Sequence, residues 1–427
     1  MPRLIIALAT LIAATSSGTA QGQVQQIEQA SGHSAEMPEL AMLGAFGIGT
    51  RMDHLASGDR TIGVRFWYPA VPSSSSTRVV YNHRRALPGQ KPLQIAETGL
   101  AVADAKPIAG QTFPLVIMSH GYGGWSEHMS RLGETLASRG YVVASIDHRD
   151  QPFTDIASFA ASFAGVLINR TLDQRAVLNA VLGAKLAPQI AEKINPNAIG
   201  LLGFSMGGYG SLTTAGAALD PAAPAFAQLS PAMRAQLPIP DPALASKIKA
   251  VVAIAPWGGQ PGAAVWQDSA LASLRMPLLV VAGDQDDVVD YERGVKRLFN
   301  AAQGTDRYLL VYREAAHNIA GNPVTIPSDA DFPTIEFLTD PVWRKERIEM
   351  INAHFIGAFL DLELKAEESK SIYLEVPTPF ANQGQWPSSF GQTWGGVTAG
   401  KDQPGYWRGF QRRWARGLEL HHKSAGK

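Results

Sequence analysis

The 427 residues include no cysteine. Disulfides, thiolate metal sites and a cysteine nucleophile are excluded with it. Charge is scarce and balanced. Only 17% of residues are charged, 37 basic against 37 acidic, for a formal net charge of zero. No basic stripe or acidic tail stands out. A nucleic-acid partner, which needs clustered Lys and Arg against phosphates, is therefore not expected. Long hydrophobic runs are also missing. The apolar stretch at 4–14 is too short to span a bilayer comfortably, and no later stretch is longer, so no stable membrane anchor is expected. There is no internal repeat. What the chain does have is apolar residues, 45% of the total, enough for a large core and against global disorder.

The short N-terminal run has its own reading. Arg3 supplies a positive start, 4–14 an apolar core, and Gly18-Thr19-Ala20 small residues at a cleavage site before Gln21. Residues 1–20 are expected to be a signal peptide and 21–37 a linker, which predicts a periplasmic or secreted protein. Without a cysteine after the run, a lipoprotein anchor is excluded.

Strand and helix patterns then alternate. Strands are expected near 43–50 and 61–68, followed by an irregular insertion at 81–110. Short apolar runs at 114–118, 141–146, 198–202, 250–254, 277–282 and 308–312 read as buried parallel strands. Helices are expected at 127–139, 172–186, 205–219, 291–302 and 342–363. The fold class this predicts is α/β, a mostly parallel central sheet with helices on both faces. The organisation is a catalytic domain over 38–365 and an extension at 366–427 with no derivable role. An Ala- and Pro-rich insertion at 217–247 is expected to form a lid or cap.

The motif that carries chemistry is Gly203-Phe204-Ser205-Met206-Gly207, followed by Gly208. It sits where a buried strand runs into a small-residue helix, the setting of a nucleophile elbow. Ser205 must occupy a tight turn that lifts its hydroxyl above the sheet, and the flanking glycines remove side chains that would clash. A serine hydroxyl needs a base. His317 follows the strand at 308–312, whereas His128 and His354 fall in helices and His421 and His422 in the tail. The imidazole needs a carboxylate to set its tautomer. The loop Gly283-Asp284-Gln285-Asp286-Asp287-Val288-Val289-Asp290 lies between serine and histidine in the chain. Asp286 is the expected acid. Asp290 is expected to cap the next helix, and Asp284 and Asp287 to serve the turn. The oxyanion needs backbone amides, expected from Met206 and from Tyr122 in Ser119-His120-Gly121-Tyr122-Gly123-Gly124. His120 is expected to shape that loop. Trp257 and Tyr122 are candidate substrate-binding residues, with a plain core aromatic an equal reading for Trp257. Asp147, His148, Arg149 and Asp150 are expected to form an internal ion-pair network rather than a metal site.

Several segments together resemble the platelet-activating-factor acetylhydrolase and predicted dienelactone hydrolase group of the α/β-hydrolases. They are 113–123, beginning Phe113-Pro114-Leu115, the stretch Leu136-Ala137-Ser138-Arg139-Gly140-Tyr141, His148-Arg149-Asp150, and Phe66-Trp67-Tyr68-Pro69-Ala70. Cutinase-like polyester hydrolases are more distantly similar and share the Gly-x-Ser-Met-Gly-Gly form. The resemblance covers roughly 44–320. It implies an α/β-hydrolase fold and carboxylic-ester hydrolysis through an acyl-enzyme, with no metal or cofactor. Dienelactone hydrolases carry cysteine where Ser205 stands. The acetylhydrolases place their acid soon after the strand that follows the nucleophile helix. Here that stretch is Ala255-Pro256-Trp257, without a carboxylate, which leaves the acid to Asp286. The expected substrate is a small-molecule or polymeric ester, whether short-acyl, aryl, phthalate, polyester or lipid. The alternatives are an amidase, peptidase or perhydrolase on the same scaffold, or a catalytically silent binding module.

Overall fold

The computed structural model describes residues 34–71, 77–85, 92–151, 153, 155–385 and 405–427. The expected signal peptide, most of the linker and the run of serines at 73–76 lie outside them. One 12-stranded sheet organises the rest. Its strands are β1 (Gly47–Ser57), β2 (Arg60–Val71), β3 (Arg78–Arg85), β4 (Leu93–Ala103), β5 (Lys106–Pro107), β6 (Phe113–Ser119), β7 (Val142–Asp147), β8 (Ile194–Phe204), β9 (Ile248–Ile254), β10 (Leu278–Gly283), β11 (Arg307–Tyr312) and β12 (Leu418–Lys423). The spatial order is β12-β11-β10-β9-β8-β6-β7-β2-β1-β4-β3, with β5 paired to β2. From β7 through β6 and β8 to β11, neighbouring strands are parallel. These six are apolar almost throughout because both faces are covered.

Five helices matter for the site: α1 (Ser130–Ser138), α2 (Ile156–Leu182), α3 (Met206–Thr214), α4 (Lys296–Ala301) and α5 (Lys345–Lys365). α1 and α5 pack together on one face, and α2 and α3 on the other. Glycines permit the close approaches. A Cβ on Gly133 of α1 would lie 2.5 Å from the Trp67 ring, and one on Gly200 of β8 would lie 3.0 Å from Leu364 of α5.

The chain leaves β6 for β7 on one side and returns to β8 on the other. Strand order therefore reverses at β6, and such a reversal opens a crevice beyond the carboxyl ends of the strands. Ser119 pairs with Gly203 across β6 and β8, so the loops after these two strands leave the sheet at the same level.

Three sequence expectations change. The insertion at 81–110 is not irregular where it is described: β3, β4 and β5 run through it. β4 alternates buried Leu93, Ile95 and Ala101 with exposed positions, and β3 is polar along its outer face, which hides its period. The helix expected at 172–186 begins sixteen residues earlier, at Ile156. Asp155 caps it and Ser158 completes a reciprocal capping box. The tail contains β12, which pairs antiparallel with β11 from Leu418↔Tyr312 to Lys423↔Arg307. Trp407, Phe410, Leu418 and Leu420 of this tail are each at most 2% exposed. Leu420→Ala should therefore cost about 2–5 kcal/mol, read as a fall in urea midpoint. An unchanged midpoint would mean that the tail adds nothing to the core.

Residues 217–247 form short helical turns that bury Phe226, Leu229 and Leu244. Arg175 of α2 donates to both Thr213 O and Ile239 O, so the segment meets the sheet layers at the end of α3 remote from Ser205. No helix among the described residues is long and apolar enough to cross a membrane.

Candidate active site

β8 ends at Phe204 and α3 starts at Met206, with Ser205 alone between them at φ 52° and ψ −114°. A non-glycine residue there is strained, and such strain concentrates where function requires it. The turn is as tight as the glycine pattern demands. A Cβ on Gly203 would sit 2.2 Å from Gly207 O, and one on Gly207 would sit 2.1 Å from Ser119 O. Only glycine fits either place.

His317 Nε2 lies 3.0 Å from Ser205 Oγ, and His317 Nδ1 lies 2.8 Å from Asp286 Oδ2. The other Asp286 oxygen accepts from the amides of Val288 at 3.0 Å and Val289 at 3.1 Å. This side chain is fully buried and that of His317 is 14% exposed. The neighbouring acids do other work. Asp290 caps the turn Tyr291–Val295 through Arg293 N. Asp284 accepts from Glu314 N and pairs with Arg313. Asp287 is exposed. The loop carrying His317 is anchored from α5 by the Lys345 ammonium, which donates to Asn318 O at 3.0 Å and to Ala320 O. Burial pulls that amine down to about 8.

A second serine–histidine–aspartate series runs underneath. Ser119 Oγ lies 2.7 Å from His148 Nε2, and His148 Nδ1 lies 3.0 Å from Asp173, which also pairs with Arg60. Ser119 and Asp173 are fully buried, so no substrate reaches this trio. Burial holds His148 well below the usual imidazole range. Ser205, 7% exposed, is the serine with an opening. The internal network expected at 147–150 is met only in part: His148 belongs to this series and Asp150 to Arg170 at 2.6 Å, while Asp147 and Arg149 pair with each other at 3.5 Å near the surface, because Arg149 points to solvent. Among the described residues no cluster of His, Asp or Glu is arranged to hold a metal.

Met206 opens α3, so its amide has no intrahelical acceptor. Gly121 backs onto Ser205: a Cβ there would be 3.3 Å from Ser205 Cβ. This places the Tyr122 amide in the loop facing the elbow. His120 shapes that loop, since its Nδ1 lies 2.7 Å from Gly121 O and its Nε2 accepts from His148 N at 3.2 Å.

The fold resembles that of a ferulic acid esterase from Streptomyces cinnamoneus, with a TM-score of 0.54 and 21% identity over 75% of this chain and 91% of that one. In this chain a mostly parallel sheet is flanked on its two faces by helices. The chain has the α/β-hydrolase fold. The family model for platelet-activating factor acetylhydrolase, isoform II, matches residues 92–163 of this chain. Cutinase est1 of Thermobifida alba is 25% identical over 219 residues, 49% of this chain and 55% of that protein. The platelet-activating factor acetylhydrolase of Cavia porcellus is 45% identical over 42 residues, 10% of each. The chain therefore spans about half the length of the curated cutinase and a tenth of the acetylhydrolase.

Sequence reading missed an aromatic wall beside this site. Phe153, Phe159 and Phe163 surround the Tyr122 ring at centroid distances of 6.1, 5.8 and 5.7 Å. Phe163 meets Trp257 at 5.3 Å, and Trp257 meets the buried Tyr209 at 5.9 Å. Trp257 N donates to Ser205 O at 3.2 Å, so the wall begins beside Ser205. Trp257 faces both the core and the wall. The signal was there: Phe159 and Phe163 are four apart, which on a helix puts them on one face.

Proposed function

We propose that this protein is a carboxylic ester hydrolase acting through an acyl-enzyme on Ser205. His317 takes the hydroxyl proton as Ser205 attacks the ester carbonyl. Asp286 holds the imidazole with its proton on Nδ1 and stabilises the imidazolium that forms. The amides of Met206 and Tyr122 receive the oxyanion. The alcohol leaves with the proton from His317, and water then releases the acid by the same steps in reverse roles.

One observation carries this reading: serine, imidazole and carboxylate stand in series at 3.0 and 2.8 Å, with the serine on a strained turn at a helix N-terminus. The likeness to a cutinase, an acetylhydrolase and a ferulic acid esterase supports ester rather than amide cleavage. The wall of Tyr122, Phe159, Phe163 and Trp257 supports an apolar or aromatic group on the ester. Export to the periplasm or medium belongs to the same proposal and rests on residues 1–20.

Fluorophosphonate labelling tests it. One equivalent should add to Ser205, located by peptide mass spectrometry, and p-nitrophenyl butyrate turnover should fall in step. Folded protein that turns over the ester yet takes no label, or takes it elsewhere, would overturn the assignment.

A further inference from the structure

We propose that Arg170, held by Asp150, is a positioning residue for the oxyanion, fixing the peptide unit between Gly121 and Tyr122 so that the Tyr122 amide faces the reacting carbonyl. This rests on the ester-hydrolase reading above and identifies what sets its oxyanion site.

Three donors converge on the Gly121 carbonyl oxygen: Arg170 Nη2 at 3.0 Å, the His120 ring at 2.7 Å and Gly124 N at 3.2 Å. The histidine's role follows from its other nitrogen. His148 N can only donate, so His120 Nε2 accepts, and the proton sits on Nδ1 facing Gly121 O. A trans peptide is planar, with its C=O and N–H pointing opposite ways. Pinning the Gly121 oxygen on the α2 side therefore aims the Tyr122 N–H away from it. The glycine between backs onto Phe204 and Ser205.

The clamp has a second arm. Arg170 Nη2 has two hydrogens, and the other goes to Asp150 Oδ2 at 2.6 Å. That oxygen also accepts the Gly123 amide at 2.9 Å. The backbone is thus tied immediately before and after Tyr122 by one ion pair, whose side chains are 1% and 8% exposed. A full positive charge beyond the carbonyl also polarises the peptide, in the direction that strengthens its N–H as a donor. α2 places Arg170 here, two turns beyond Phe163. The element that lines the substrate side thus also sets the loop. Lysine reproduces the arrangement only in part: an ammonium can donate to both oxygens, but its stem is shorter and its charge is not delocalised over a plane.

The test compares Arg170→Met, Arg170→Lys, Asp150→Asn and Ser205→Ala. It reads kcat and KM for p-nitrophenyl butyrate, and the inhibition constant of phenylboronic acid, whose tetrahedral adduct needs the same oxyanion donors. Removing an oxyanion donor outright costs about 100–1000-fold in kcat. Loosening one should cost Arg170→Met about 10–100-fold, with KM changed less than threefold and boronate affinity weakened alongside kcat. Arg170→Lys should recover part of the loss. A crystal structure of Arg170→Met should show the Gly121–Tyr122 peptide rotated, a readout independent of turnover. Where Arg170→Met does not fold, Asp150→Asn carries the comparison. Folded Arg170→Met or Asp150→Asn with wild-type kcat, unrotated peptide and unchanged boronate affinity, beside an inactive Ser205→Ala, would overturn the inference alone. An active Ser205→Ala would instead overturn the hydrolase reading.

Discussion

Ser205→Ala should lower kcat for p-nitrophenyl butyrate by on the order of a millionfold, with a thermal midpoint within a few degrees of the parent. The two halves of this expectation have separate causes. Alanine keeps the Cβ, so the turn at φ 52° gains no strain, and among the described residues the hydrogen bond lost is the one to His317 Nε2. In the proposed mechanism that hydroxyl nonetheless forms the acyl bond, and the buried Ser119 has no opening through which to replace it. The Met206 and Tyr122 amides remain, so a small residue of catalysis above the uncatalysed rate should persist. Turnover at the parent rate would place the nucleophile elsewhere.

Asp286→Asn should lower kcat about ten-thousandfold, and the reason can be traced atom by atom. Two amides, of Val288 and Val289, donate to Asp286 Oδ1. In the variant, the asparagine carbonyl must stay on that side to accept them. Its NH2 then faces His317 Nδ1, where the carboxylate oxygen was. Two donors cannot face each other, so the imidazole moves its proton to Nε2 and can no longer accept one from Ser205. Asp287→Asn, at an exposed position, is the matched control and should stay within twofold of the parent. Rates measured for the two variants at one pH decide the matter. A large loss in Asp287→Asn with little in Asp286→Asn would move the acid.

The parts of the site that were legible from residues alone are those whose chemistry is written in short range. The two glycines around Ser205 announce a turn too tight for any Cβ. His317 and Asp286 each follow a short apolar strand, and their order along the chain matches the order of β10 and β11 in the sheet. Arg170 was not legible, because its partner is a backbone carbonyl 49 residues away, and a carbonyl has no signature in a sequence. The first four turns of α2 were obscured by Ala, Ser and Gly between its phenylalanines, which flatten the apolar periodicity. β3 and β12 are short or polar on one face. Leu-Glu-Leu-His-His-Lys shows its alternation only at Leu418 and Leu420, and Glu419 is spoken for by Arg313 at 2.7 Å.

Where β12 lies also bears on synthesis. Roughly a hundred residues separate it from β11, and contacts between such distant segments form late and slowly. During that interval the outer backbone of Arg307–Tyr312 presents unpaired amides and carbonyls to whatever strand comes near. Nascent or proteolytically trimmed chains should therefore associate with one another through that margin, and a ribosome stalled before residue 418 would hold a chain with its serine–histidine pair already encoded but its sheet still unsealed.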